Sequence, residues 1–136
     1  MSIRASTLAL FDDMIREVQK RTDLKAVILF GSRARGTPNK YSDYDLVFIG
    51  DFKEQFADRR DWVRKLAPFV SMDLFCYTPS EFEQMFNSYR LTAIDAIGEG
   101  IVLHGEDFVA PFKQKYAEYV DRGMRKTSCA LIPPSV

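Results

Sequence analysis

Three short apolar runs restrict what this chain can fold into: residues 25–30 (KAVILF), 43–49 (DYDLVFI) and 69–77 (FVSMDLFCY), the first two closed by Gly31 and Gly50. Runs of this length suit buried strands and are far short of the ~18 residues of a membrane helix. The intervening sequence has helical spacing. Leu8, Phe11, Ile15 and Val18 predict a helix over 6–21. Phe52, Phe56, Val63 and Leu66 predict one over 52–66, stopped by Pro68. Thr78-Pro79-Ser80-Glu81 reads as a capping box with proline at the first helical position. The helix it opens carries Phe82, Met85, Phe86 and Tyr89 and continues or breaks before Ile94 and Ile97. A short strand over 101–103 and a helix over 107–122, through Phe108, Phe112, Tyr116 and Tyr119, complete the core. The order is that of an α/β or α+β sandwich, a small mixed sheet flanked by helices. With 136 residues the chain is expected to form a single domain over 1–124. Residues 125–136, with Pro133 and Pro134, are expected to form a flexible tail.

Composition narrows the function. Lys and Arg number 19 and so do Asp and Glu, and this balance argues against strong nucleic-acid binding over the whole surface. Cys76, Cys129 and the single His104 cannot build a disulfide framework or a Cys/His zinc site. Acids come early in the N-terminal stretch and no signal-like apolar segment is present, so a cytoplasmic, reduced protein without a membrane span is expected.

Chemistry concentrates in two neighbouring patches, Gly31-Ser32-Arg33-Ala34-Arg35-Gly36 and Ser42-Asp43-Tyr44-Asp45-Leu46. Residues i and i+2 of a strand share a face, so Asp43 and Asp45 are expected side by side. Adjacent carboxylates repel unless a proton or cation lies between them, and a hard cation such as Mg²⁺ takes carboxylates together with substrate phosphates. Alone, an Asp-x-Asp is more often a polar turn. An EF-hand is excluded, because Val47 occupies the next ligand position. A strand followed by Gly-Ser and helix-compatible residues exposes backbone N–H groups that receive phosphate. Ser32 can add a hydroxyl, and Arg33 and Arg35 can reach a triphosphate. The lysine spacing of a P-loop is absent. Asp73, between Met72 and Leu74 in the third run, is an acid that is expensive to bury unpaired and a candidate third ligand.

The Gly31-Ser32 pair, the Asp43-x-Asp45 pair and the later Asp73 together resemble the nucleotidyltransferase superfamily that includes DNA polymerase beta, and most closely its minimal nucleotidyltransferases (MNT proteins). The resemblance runs over about residues 8–104 and includes Gly100-Ile101-Val102-Leu103-His104-Gly105. It implies a polymerase beta-like fold. Gly31 and Ser32 would hold the triphosphate of ATP, with Arg33 and Arg35 as further contacts. Asp43, Asp45 and Asp73 would bind two Mg²⁺ ions, and Asp73 would take the proton of the attacking hydroxyl. It also implies a HEPN-domain toxin as partner, AMP transfer to a tyrosine of that toxin, and an antitoxin role. Two alternatives remain at this point: transfer to a small molecule such as an aminoglycoside, and neutralisation of a toxin by binding alone. Elsewhere, His104 and Cys76 read as structural, Trp62 as a core or interface residue, and Arg59-Arg60 as a solvated helix face, while Lys40 and Tyr41 lie in the loop ahead of Asp43, where approach to a nucleotide and plain loop polarity explain them equally well.

Overall fold

The computed structural model describes residues 5–36 and 43–135. Ser42, Lys40 and Tyr41 lie outside the described residues. The elements are α1 (Ala5–Gln19), β1 (Leu24–Phe30), α2 (Gly31–Arg35), β2 (Tyr44–Gly50), α3 (Phe56–Arg64), β3 (Met72–Tyr77), α4 (Pro79–Asn87), α5 (Leu91–Glu99), β4 (Ile101–His104), α6 (Glu106–Asp121), β5 (Arg125–Lys126) and β6 (Leu131–Ile132).

The main sheet has the order β3-β2-β1-β4. β1 runs antiparallel to β2 and β4, whereas β2 and β3 are parallel and joined through α3. β1 is apolar at nearly every position because both of its faces are covered. Val27 and Leu29 face α1 and α3 with Leu46, Phe48, Leu74 and Cys76, packed on Phe11, Met14, Val18 and Val63. Ala26, Ile28 and Phe30 face the other way with Val47, Ile49 and Tyr77, packed on Phe82, Phe86, Ile94, Ile97 and Val109. Period-two alternation along each strand divides the core into these two layers.

Local sequence explains most element ends. Thr78 Oγ1 accepts from Glu81 N at 3.2 Å, and Glu81 Oε1 accepts from Thr78 N at 2.7 Å, so the capping box forms with Pro79 inside it. The helix it opens stops at Asn87, and Tyr89 turns the chain with φ 59° before α5 begins. Three expectations need correction. The helix expected from residue 52 begins at Phe56, because Phe52 is drawn into the α1/α3 core beside Trp62. The strand expected from residue 69 begins at Met72, and Phe69 is fully exposed in the preceding turn. Where a tail was expected, residues 125–132 form an antiparallel hairpin, and Ser135 N donates to Arg122 O at 2.8 Å.

Arg59 also departs from expectation. It is 7% exposed rather than solvated. Its Nε donates to Glu54 O at 2.7 Å, and its Nη1 donates to Cys76 O at 3.3 Å and Glu81 Oε1 at 2.7 Å. One guanidinium thus joins α3, the outer strand β3 and the cap of α4. Arg64 Nη1 donates to Met72 O at 3.1 Å, so two arginines of α3 occupy carbonyls along the outer edge of β3. Burial would raise the Glu81 carboxyl, but hydrogen bonds from Thr78 and Arg59 outweigh it and hold the group below the usual glutamate value. Cys76 is buried beside this clamp, and burial pushes its thiol up to about 12, so it packs as an apolar residue.

Arg59→Ala is expected to cost about 2–3 kcal/mol in chemical denaturation, because the buried carbonyls lose their donor. A depressed Glu81 contributes stability above its unfolded value, and that stability is lost as pH falls through the folded value. Glu81→Gln should therefore flatten the acid limb of the stability curve.

Candidate functional site

β1 ends at Phe30, which pairs with Asp45 near the start of β2. β3 starts at the same end of the sheet, and its parallel register sets Asp73 directly beside Asp45. Registered neighbours on strands ~4.8 Å apart project from one face, so the two carboxylates are adjacent. Val47 and Ile49, on the Asp45 face of β2, and Tyr77, on the Asp73 face of β3, belong to the core layer under α4, α5 and α6. Both acids therefore stand at the end of that layer, where the apolar residues give way.

Gly31 follows β1 directly with φ 75°, and a Cβ there would collide with Asp45 Oδ2. Glycine is required twice over, for the left-handed turn and for the close approach of backbone to carboxylate. α2 then runs for five residues with no side-chain cap at its start, and Gly36 ends it in the left-handed conformation. Ser32, Arg33 and Arg35 all lie on this turn. The turn is too short for a useful macrodipole, so any anion affinity here comes from individual N–H groups and side chains.

Burial raises the proton affinity of Asp45, and the negative charges of Asp73 and Asp43 raise it further. A hydrogen bond to Asp73 acts in the same direction, while Arg35 opposes all of these. Asp43 precedes β2 and accepts a hydrogen bond from Ser71 Oγ. The Arg35 guanidinium lies close enough to influence Asp45, while its Nη1 pairs with Glu99 Oε2 at 2.9 Å. Arg33 stacks over the Tyr44 ring at 4.7 Å.

The structure therefore gathers Gly31, Asp45 and Asp73 at one end of the sheet, with Asp43 and Arg35 within electrostatic reach. Arg33 is turned onto Tyr44. Sequence reasoning missed Ser71 and Glu99. Ser71 stands two positions before Asp73, which was a usable signal; Glu99 gave none, because its partner is 64 residues away.

The donor set suits a hard cation. Carboxylate oxygens are crowded together, and Asp45 holds its proton more tightly than an ordinary aspartate because it is partly buried and faces the negative charges of Asp73 and Asp43. Among the described residues, no three acidic, His or Cys side chains form a cluster placed to hold a metal ion, Asp43, Asp45 and Asp73 included. Magnesium does not need one, since it keeps several waters and binds through one or two carboxylates plus substrate phosphates. A separate cavity of about 410 Å³ lies between α4 and α6, lined by Pro79, Glu83, Phe108, Phe112 and Lys115 among others. It involves the first turns of those helices, which start at the opposite end of the sheet from Asp45 and Asp73. Among the described residues, no helix is long and apolar enough to cross a membrane.

With this geometry in place, residues 12–107 match the family model described as "Polymerase beta, Nucleotidyltransferase". Among solved structures, the chain is similar to a toxin–antitoxin with AMP-PNP: TM-score 0.59, 20% identity, 82% of this chain and 84% of that one covered. It is similar to a candidate nucleotidyltransferase from Sulfolobus solfataricus: TM-score 0.50, 24% identity, 70% and 77% covered. It is also similar to the toxin–antitoxin MntA–HepT: TM-score 0.51, 16% identity, 85% and 88% covered. These likenesses are of fold. No curated protein matches the chain.

Gly31→Ala is expected to cost about 1–2 kcal/mol from the left-handed turn alone, and more if Asp45 cannot yield. Asp45→Asn should raise the melting temperature at neutral pH. A carboxyl with raised proton affinity in the fold destabilises it progressively as pH rises from the unfolded value through the folded one. Melting curves across pH 3–8, compared with the parent chain, read that slope directly.

Proposed function

Because the chain belongs to the polymerase beta nucleotidyltransferase family, we propose that it transfers AMP from ATP to a hydroxyl of a protein partner, a HEPN-type toxin, and acts as that toxin's antitoxin. The observation that carries the chemistry is the paired Asp45 and Asp73, with Gly31 against Asp45. The fold likeness to toxin–antitoxin structures, one of them with AMP-PNP, supports the partner and the nucleotide.

In this reading the N–H groups around Gly31 and Ser32, with the Ser32 hydroxyl, bind the triphosphate, and Arg35 adds a cationic contact. Asp43, Asp45 and Asp73 are the residues that would hold two Mg²⁺ ions. When bound, such ions neutralise phosphate charge and stabilise the attacking and leaving oxygens of an in-line displacement. Asp73 takes the proton of the incoming hydroxyl. The hydroxyl oxygen forms a bond to the α-phosphorus as the bond to the bridging oxygen breaks, and pyrophosphate leaves. Most of the acceleration comes from positioning and charge compensation rather than from covalent chemistry with the protein. Ser71 orients Asp43 for this task through its hydrogen bond.

Incubating the protein with radiolabelled ATP, Mg²⁺ and a purified HEPN-type toxin should place label on the toxin. Asp45→Asn with Asp73→Asn should lower labelling at least about 100-fold. EDTA should abolish labelling and added Mg²⁺ restore it. Labelling should also fade on acidification, since protonated Asp45 no longer serves as a cation ligand. Label that persists in the double variant would refute the assignment of the site.

A further inference from the structure

The family match ends at residue 107, in the first turn of α6, yet the chain beyond it reaches back toward the site. Lys126, on β5 of the C-terminal hairpin, places its Nζ 2.9 Å from Asp95 Oδ1 and 3.1 Å from Glu99 Oε1, both on α5. The other oxygen of Glu99, Oε2, takes Arg35 Nη1 of α2 at 2.9 Å. One carboxylate at the end of α5 is therefore gripped by two cations from separate elements. α6 closes the same helix end: the Tyr116 ring packs on Gly98, where any side chain would collide with it. The Asp95 and Glu99 side chains keep only 16% and 27% of their surface exposed, so these are not freely solvated pairs. Burial would raise the Glu99 carboxyl, but hydrogen bonds from Arg35 and Lys126 outweigh it and keep the group ionised.

At the other side of this chain of charges stands Arg35, on the five-residue turn whose first residue, Gly31, abuts Asp45. Glu99 engages its Nη1, and a guanidinium carries five N–H donors in a fixed fork. An arginine held at one nitrogen presents the rest in a defined direction. Without that hold, a long side chain on a five-residue turn would sample many orientations.

We propose that Glu99 is a positioning residue for nucleotide binding: it fixes the Arg35 guanidinium on the short turn whose Gly31 abuts Asp45, and Lys126 of the C-terminal hairpin keeps Glu99 in place. This rests on the nucleotidyl-transfer reading above. The segment beyond the family match is thereby part of the nucleotide site's support, although it contributes no group to the chemistry itself.

The test is the affinity of the full-length chain for ATP in Mg²⁺, measured with a fluorescent ATP analogue, so that no acceptor is needed. Glu99→Gln should weaken binding about tenfold, the scale of one charge-assisted contact. Arg35→Ala should weaken it at least as much. The double variant should be no weaker than Arg35→Ala, because Glu99 acts through Arg35. Lys126→Ala should shift affinity in the same direction by less, and this shift should also vanish in the Arg35→Ala background. A folded Glu99→Gln protein with unchanged affinity overturns the proposal, as do Glu99 and Arg35 effects that multiply. If Glu99→Gln does not fold, Lys126→Ala carries the test, and unchanged affinity there has the same meaning. A wild-type chain that binds no nucleoside triphosphate overturns the functional reading and this proposal together, whereas ATP binding that is indifferent to Glu99 overturns this proposal alone.

Discussion

Two carboxylates held side by side by a parallel strand pair set the terms for everything around them. Asp45 and Asp73 are registered partners on β2 and β3. The backbone hydrogen bonds of that ladder, and the apolar layers on both faces of the sheet, make their proximity unavoidable. Like charges at this spacing cost free energy, and part of the cost is visible as the raised proton affinity of Asp45. A cation or a proton between the two carboxylates would relieve that repulsion directly. The neighbouring elements follow from the pair. Gly31 must lack a side chain so that backbone can approach Asp45, Ser71 satisfies Asp43, and Arg35 stands where its charge opposes the excess of negative charge.

Holding that register requires β3 to stay in place at the edge of the sheet. Its outer carbonyls at Met72 and Cys76 are taken by Arg64 and Arg59 of α3, the helix that connects β2 to β3. The same Arg59 ties in the capped start of α4. The crossover helix thus secures the strand whose beginning carries Asp73. A buried guanidinium with three acceptors is a more directional fastening than apolar contact alone, and it blocks the free edge from pairing with another chain.

Much of this was legible in the residues. The apolar runs, the capping box and the helical spacing gave the order of elements, because those signals depend on near neighbours in sequence. The glycine turn after β1 was legible for the same reason. Element edges were less so. Phe52 left the helical pattern because packing in the α1/α3 core decided its place, whereas Phe69 stands fully exposed in the turn before β3. Arg59 looked like a surface residue because its three acceptors come from residues 54, 76 and 81 and no single window contains them.

By itself, the sequence determined the class of fold and the glycine turn after β1, both of which rest on local periodicity and short spacing. Only the tertiary structure decided that Asp45 faces Asp73, that Glu99 meets Arg35, and that the residues after 124 form a hairpin whose Lys126 grips α5. Strand register and ion pairs between remote segments arise from closing long loops around a shared core. The free energy that selects them belongs to the packed whole rather than to any stretch of chain.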